Sequence, residues 1–240
     1  MKITEPWFLK SYFNRKLLNH PRYYHEEIKS HLNEGAVVLD AGCGSGEYGA
    51  MMELEAAKSA SRIIGLDLSR EALEKNEVIN EGLVGNLENI PCADNYFDLV
   101  ACETVCEHLK RPELVFNEFG RILKSGGYLV LRTYNVRHIN NAISASLPVG
   151  LRELLKNKLI GVSSEGTFPT YYRCNSRKRL KKLSANAGMT EEKFIIYGDN
   201  PSYWKNRGIV TFFSLYERLT DPSWLNFLKM NIVGVYRKLD

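Results

Sequence analysis

The stretch "VVLDAGCGSGEYG", Val37 to Gly49, decides how this chain is read. Its apolar run suits a strand buried on both faces of a parallel sheet. The run ends in an acid, Asp40, and passes through Gly42, Gly44 and Gly46 into a polar segment able to start a helix. In an open α/β sheet, ligands bind beyond the C-terminal ends of the strands, near the switch point where the first strand usually lies. Glycines at that place let the backbone turn sharply and approach a ligand where a Cβ would intrude. A dinucleotide loop spaces its glycines G-x-G-x-x-G and sets a pyrophosphate on a helix N-terminus. Here the spacing is G-x-G-x-G, and the carboxylate of Asp40 in front of it would repel a pyrophosphate and attract an ammonium.

Working outward, short apolar runs alternate with helical patterns. Ala36–Gly42, Ser61–Ser69, Glu81–Asn86, Phe97–Glu103 and Gly126–Asn135 read as strands; Glu47–Lys58, Ser69–Ile79 and Pro112–Leu123 read as helices, the last stopped by the glycines of "KSGG". This order predicts an α/β fold, a doubly wound, mostly parallel sheet with helices on both faces. Beyond Asn135, one or two helices and a loop over Val136–Tyr172 suggest a helical cap or insertion. A basic helix over Asn175–Gly188, strands over Glu192–Gly198 and Leu228–Lys238, and a helical, aromatic-rich Pro201–Trp224 between them complete the expectation, with one or two helices in Glu5–Leu32 at the other end. A single domain is expected: N-terminal helices 1–34, core 35–135, cap 136–175, C-terminal helix and strands 176–240.

Length and composition are compatible with one sizeable core: 240 residues, 44% hydrophobic and 25% charged. No long apolar run and no signal-peptide core is present, which favours a cytoplasmic protein. Five cysteines without a C-x-x-C pair suggest neither a disulfide framework nor a zinc site, and no metal is expected. Charge is uneven. Residues 1–131 hold 14 Lys+Arg against 20 Asp+Glu, whereas 132–240 hold 18 against 8, so the acidic part precedes a basic one able to meet an anionic substrate, an anionic membrane or RNA.

Asp67 ends the second strand-like run about 20 residues past the glycine loop, where a carboxylate can accept from both hydroxyls of a ribose. A ribose with a cationic appendage describes S-adenosylmethionine. Four segments in order, "VLDAGCGSGEYG", "IIGLDLS", "VGNLENIPCADNYFDLVACETVCEHL" and "RILKSGGYLVL", then make the chain similar to the class I S-adenosylmethionine-dependent methyltransferases, in the methyltransferase type 11-like group. The resemblance implies a seven-stranded Rossmann-like sheet. It also implies that Asp40, Gly42, Gly44 and Gly46 cradle the methionine part, Asp67 holds the ribose, and Leu68, Asn86 and Leu87 line the adenine. Family members often carry Asp where Asn86 stands. Cys102 and Glu103 would lie under the transferable methyl, and His108 of "CEHL" is the candidate general base. The product would be S-adenosylhomocysteine.

The acceptor is less legible. Aromatics in Glu5–Tyr24 (Trp7, Phe8, Tyr12, Phe13, Tyr23, Tyr24) and Val136–Arg173 (Phe168, Tyr171, Tyr172) suggest an apolar lid over a small-molecule acceptor. Phe168–Met189 resembles a segment of bacterial methyltransferases associated with surface-polysaccharide synthesis. That implies a sugar or lipid-linked saccharide, with Arg173 and the Arg177–Lys182 cluster near a pyrophosphate or an anionic membrane. An RNA methyltransferase and a non-catalytic cofactor-binding scaffold are the rival readings. Nucleic acid is disfavoured by the lack of an RNA-binding motif.

Overall fold

A computed structural model gives the architecture; it describes residues 22–46, 62–148, 150–151, 168–199 and 206–240. Seven strands form one sheet: β1 (Val37–Ala41), β2 (Arg62–Asp67), β3 (Glu81–Val84), β4 (Phe97–Glu103), β5 (Leu123–Tyr134), β6 (Met189–Tyr197) and β7 (Asn231–Lys238), in the order β3-β2-β1-β4-β5-β7-β6. β1 pairs in parallel with β2 and β4, β2 with β3 and β4 with β5. The order reverses at β1, so the glycine loop leaves the sheet at its switch point, as the sequence predicts.

Burial explains why these segments are strands. Val38, Leu39 and Ala41 of β1, Leu66 of β2 and Leu99 to Cys102 of β4 are wholly buried, as central strands of a parallel sheet are. β3 alternates between half-buried and exposed, as an edge strand does. The helices are α1 (Arg22–His31), α2 (Arg70–Lys75), α3 (Pro112–Ile122), α4 (Ile139–Ser146), α5 (Arg177–Asn186) and α6 (Arg207–Leu219). Ser69, Ser176 and Asn206 cap α2, α5 and α6 through their side-chain oxygens. The helix expected over Glu47–Lys58 lies outside the described residues.

Two boundaries differ from expectation. α3 ends at Ile122, before "KSGG", and β5 begins at Leu123, so the two glycines lie inside the strand and not at a helix stop. Gly127 is required there: a Cβ would sit 2.9 Å from the Lys124 carbonyl oxygen and 3.0 Å from that of Asp98. α2 stops at Lys75, four residues before the expected Ile79, because Asn76 turns out of the helix to serve the glycine loop.

The chain divides into two compact units. Of the described residues, the larger comprises those within 22–133, Tyr172–Ile195 and Ile232–Asp240, and the smaller those within Tyr134–Tyr171 and Ile196–Asn231. The smaller is organised on buried polar groups. Asn135 Nδ2 donates to the carbonyls of Phe227 and Lys229, both at 2.8 Å. The Lys229 ammonium is buried against Glu217 at 2.9 Å and Asp221 at 3.2 Å.

Candidate functional site

The site begins where β1 and β2 end. The amides of Gly42 and Cys43 donate to the Leu66 carbonyl, at 2.7 and 3.4 Å, and fasten the loop to the neighbouring strand. Gly42 and Gly46 have φ of +76° and +79°, a left-handed conformation that side chains disfavour. A Cβ on Gly42 would also overlap Val105 Cγ2, and one on Gly46 would meet Asn76 Oδ1 at 2.8 Å. A Cβ on Gly44 would meet nothing within 4 Å among the described residues. Among the described residues, the loop is therefore braced at Gly42 and Gly46 and unobstructed at Gly44, where a ligand can approach.

Asp67 supports the loop directly. Its Oδ2 accepts from the Gly44 amide at 3.0 Å and its Oδ1 from the Ser69 amide at 2.9 Å. Each carboxylate oxygen retains further acceptor capacity for a hydroxyl pair. Asn76, which the sequence reading does not single out, clamps the other side: its Nδ2 donates to the Gly44 carbonyl at 3.1 Å and reaches that of Cys43 at 3.4 Å. An Asn at the end of a short helix carries no pattern that points to this role.

Asp40 is buried beneath the loop. Burial raises its carboxyl from the ordinary 3.8 to about 7, and the negative charges of Glu103 and Asp67 push it the same way. Three acids from the ends of β1, β2 and β4 thus share one region that favours a positive charge. Glu103 is anchored by Arg132, whose Nη1 donates to Oε1 at 2.6 Å. Tyr24, grouped with the lid aromatics in the sequence reading, is instead buried, and burial, then Glu103 and Asp40, push its phenol well above the usual value. Burial likewise raises Cys43 to about 12, so it is an inert thiol.

The remaining predicted residues fall around this centre. Leu68 is exposed at the end of β2, while Leu87 is buried next to the exposed Asn86. Asn86 Oδ1 accepts from the Glu88 amide at 3.0 Å, a local turn that fixes the side chain. Cys102 is wholly buried at the end of β4. His108 lies half-buried in the 3-10 turn Cys106–His108, its amide bonded to the Val105 carbonyl at 2.9 Å. The neighbouring Glu107 is buried: Oε2 accepts from Thr133 Oγ1 at 2.8 Å, Thr133 Oγ1 accepts from Asn175 Nδ2 at 2.7 Å, and burial lifts the carboxyl to about 7. Thr104 and Tyr172 both hold positive φ, +53° and +52°, on either side of this turn, and the Tyr172 amide donates to the Glu107 carbonyl. Non-glycine residues in that conformation store strain, which gathers at functional sites.

Some of the arginines in and before the basic helix α5 are engaged within the protein, while its lysines are exposed. Arg177 pairs with Glu191 at 2.8 Å, Arg179 with Glu113, and Arg173 Nη1 donates to the Lys110 carbonyl at 2.8 Å. Lys178, Lys181 and Lys182 are exposed. Of the lid aromatics, Trp7, Phe8, Tyr12 and Phe13 lie outside the described residues; Tyr23 and Phe168 are exposed, and Tyr171 and Tyr172 are half-buried. The five cysteines form no disulfide, and among the described residues no group of His, Cys, Asp and Glu could hold a metal.

A carboxylate-lined glycine loop at the switch point, with Asp67 at the end of β2, is the arrangement the family resemblance implies. Residues 39–131 match the methyltransferase domain. The core has the class I S-adenosylmethionine-dependent methyltransferase fold. The chain is 33% identical over 120 residues to a ubiquinone biosynthesis O-methyltransferase of Nitrosomonas europaea, an overlap of 47% of this chain and 49% of that protein. It thus spans about half the length of the curated relatives it matches. Among solved structures, geranyl diphosphate C-methyltransferase of Streptomyces coelicolor, in complex with Mg2+, geranyl diphosphate and S-adenosyl-L-homocysteine, superposes with a TM-score of 0.60 at 17% identity, covering 91% of this chain and 77% of that one. A SAM-dependent methyltransferase of Methanosarcina mazei gives 0.57 at 17% identity, covering 88% and 96%.

Proposed function

We propose that the methyltransferase domain binds S-adenosylmethionine and transfers its methyl group to a hydroxyl oxygen of a small molecule in the cytoplasm. The observation that carries this reading is the set of three acids, Asp40, Asp67 and Glu103, beside a loop that is open at Gly44. When bound, S-adenosylmethionine supplies a methyl carbon on a sulfonium, a strong leaving group. The chain's own residues then have three tasks. Asp40 and Glu103 offset positive charge from within a poorly hydrated site, where it counts for more than in water. Asp67 holds the ribose while Leu68 and Leu87 offer apolar contact to the adenine. His108 takes up the hydroxyl proton as the oxygen attacks. The bond formed is oxygen to methyl carbon, the bond broken is carbon to sulfur, and its electron pair stays on sulfur.

Oxygen is chosen as the acceptor atom because relatives that match across the core are named O-methyltransferases. The saccharide reading rests on the Phe168–Met189 resemblance and has weaker support, since Arg173, Arg177 and Arg179 are engaged within the protein.

Calorimetry with S-adenosylhomocysteine tests the cofactor site; absence of binding at millimolar ligand overturns it. Transfer of labelled methyl to phenolic, saccharide, lipid and RNA fractions then identifies the acceptor class, and silence in all four returns the chain to a binding scaffold. His108→Ala should lower turnover by about a hundredfold with cofactor affinity unchanged. A near-normal rate removes His108 from the mechanism.

A further inference from the structure

In the smaller unit, α6 carries apolar residues on its outward side as well as on its inward one, where Phe213 and Tyr216 pack against the buried His138. The buried positions of α6 are Val210, Ser214 and Glu217, so a hydroxyl and a carboxylate face inward, the carboxylate held by Lys229. The outward positions are Phe212, Leu215 and Leu219, 53%, 42% and 72% exposed. At about 100° per residue these three lie within roughly 60° of one another, opposite the buried row. The 3-10 turn Ser223–Leu228 that follows adds Trp224, 73% exposed, and Phe227. A surface helix normally turns its apolar stripe to the core. A contiguous outward stripe marks a face that is covered in use.

The charges on the helix indicate what covers it. Its exposed charges are Arg207 and Arg218, eleven residues apart and hence on one flank of the stripe, whereas its single carboxylate, Glu217, is buried. A second copy pairing through this face would find no carboxylate on α6 to meet these arginines. Phospholipids supply both complements, acyl chains for Phe and Leu and phosphates for Arg. Trp224 is the residue type that settles at the headgroup boundary.

We propose that α6 and the Ser223–Leu228 turn form a docking surface for an anionic lipid bilayer. The helix lies in the plane of the interface, with Phe212, Leu215 and Leu219 toward the acyl chains and Arg207 and Arg218 toward the phosphates. No helix among the described residues is long and apolar enough to cross a membrane. The docking surface rests on a different helix from the Arg177–Lys182 cluster to which the sequence assigns membrane contact.

The test is sedimentation of the full chain with vesicles of phosphatidylcholine, or of phosphatidylcholine mixed with phosphatidylglycerol. The protein should pellet with the mixed vesicles and be released by salt. The variant Phe212→Glu/Leu219→Glu should reduce partitioning by at least about tenfold, with circular dichroism and S-adenosylhomocysteine binding retained. Should that variant misfold, Arg207→Gln/Arg218→Gln should lower partitioning to mixed vesicles severalfold. The proposal fails if the wild type pellets with neither vesicle, or if a folded variant pellets equally. It also fails if the wild type dimerises through this face and ignores lipid. Because cofactor binding is measured separately, loss of lipid binding and failure of the methyl-transfer reading are distinguishable.

Discussion

Asp40 should make the purified protein lose stability as pH rises, and Asp40→Asn should reverse that loss while damaging the cofactor site. The folded protein holds this carboxyl at about 7 against an ordinary value of 3.8, through burial first and the charges of Glu103 and Asp67 second. Because the folded value is the higher, folding takes up a proton in this range. The contribution is fully present below about pH 4, declines as pH rises to about 7 and is constant above that. At about 1.36 kcal/mol per pH unit the interval corresponds to about 4 kcal/mol, an upper bound that relaxation and water entry reduce to about 2–4 kcal/mol. An Asn is neutral throughout, so urea titrations at pH 8 should find the variant more stable by about this amount, with the two curves converging toward pH 4. Binding should move the other way. Without the carboxylate, affinity for the cationic cofactor should fall at least about tenfold at pH 8, read by calorimetry. A variant with the wild-type pH slope, or with unchanged affinity, would refute the argument that Asp40 is buried there to meet a cation.

Gly42→Ala should cost at least about 2 kcal/mol, from left-handed strain and the overlap with Val105, and adding Val105→Ala should recover only the overlap part in a urea titration. Asp67→Ala removes two hydrogen bonds to backbone amides as well as the proposed ribose contact. Both the melting temperature and S-adenosylhomocysteine affinity should therefore fall, the latter by about 2 kcal/mol in calorimetry. Glu107, held at about 7 by burial, also has a raised value in the fold, so its contribution to stability is lost between about pH 4.5 and 7. Glu107→Gln should flatten the denaturation profile over that window, and an unchanged profile would show that Glu107 does not titrate there.

Strand positions, switch point and glycine loop are legible in the sequence because they depend on local patterns: apolar runs of strand length, turn-permitting glycines and acids at strand ends. Val37–Ala41, Arg62–Asp67 and Phe97–Glu103 follow the expected runs closely for that reason. What lies across space is not legible. Nothing near Asn76 in the chain shows that its amide clamps Gly44, because the partner is 32 residues away. The "RKRLKK" run reads as an open basic face, yet Glu191 and Glu113 come from other elements to engage its arginines. Pro201–Trp224 reads only as helical and aromatic-rich, and nothing in it shows that Phe212, Leu215 and Leu219 face out while Glu217 is buried against Lys229. The sequence by itself determined the order of strands and helices and the chemistry at the strand ends. Tertiary structure decided which charges are neutralised, which are left to meet a ligand and which apolar side faces out, since each depends on contacts between residues far apart in the chain.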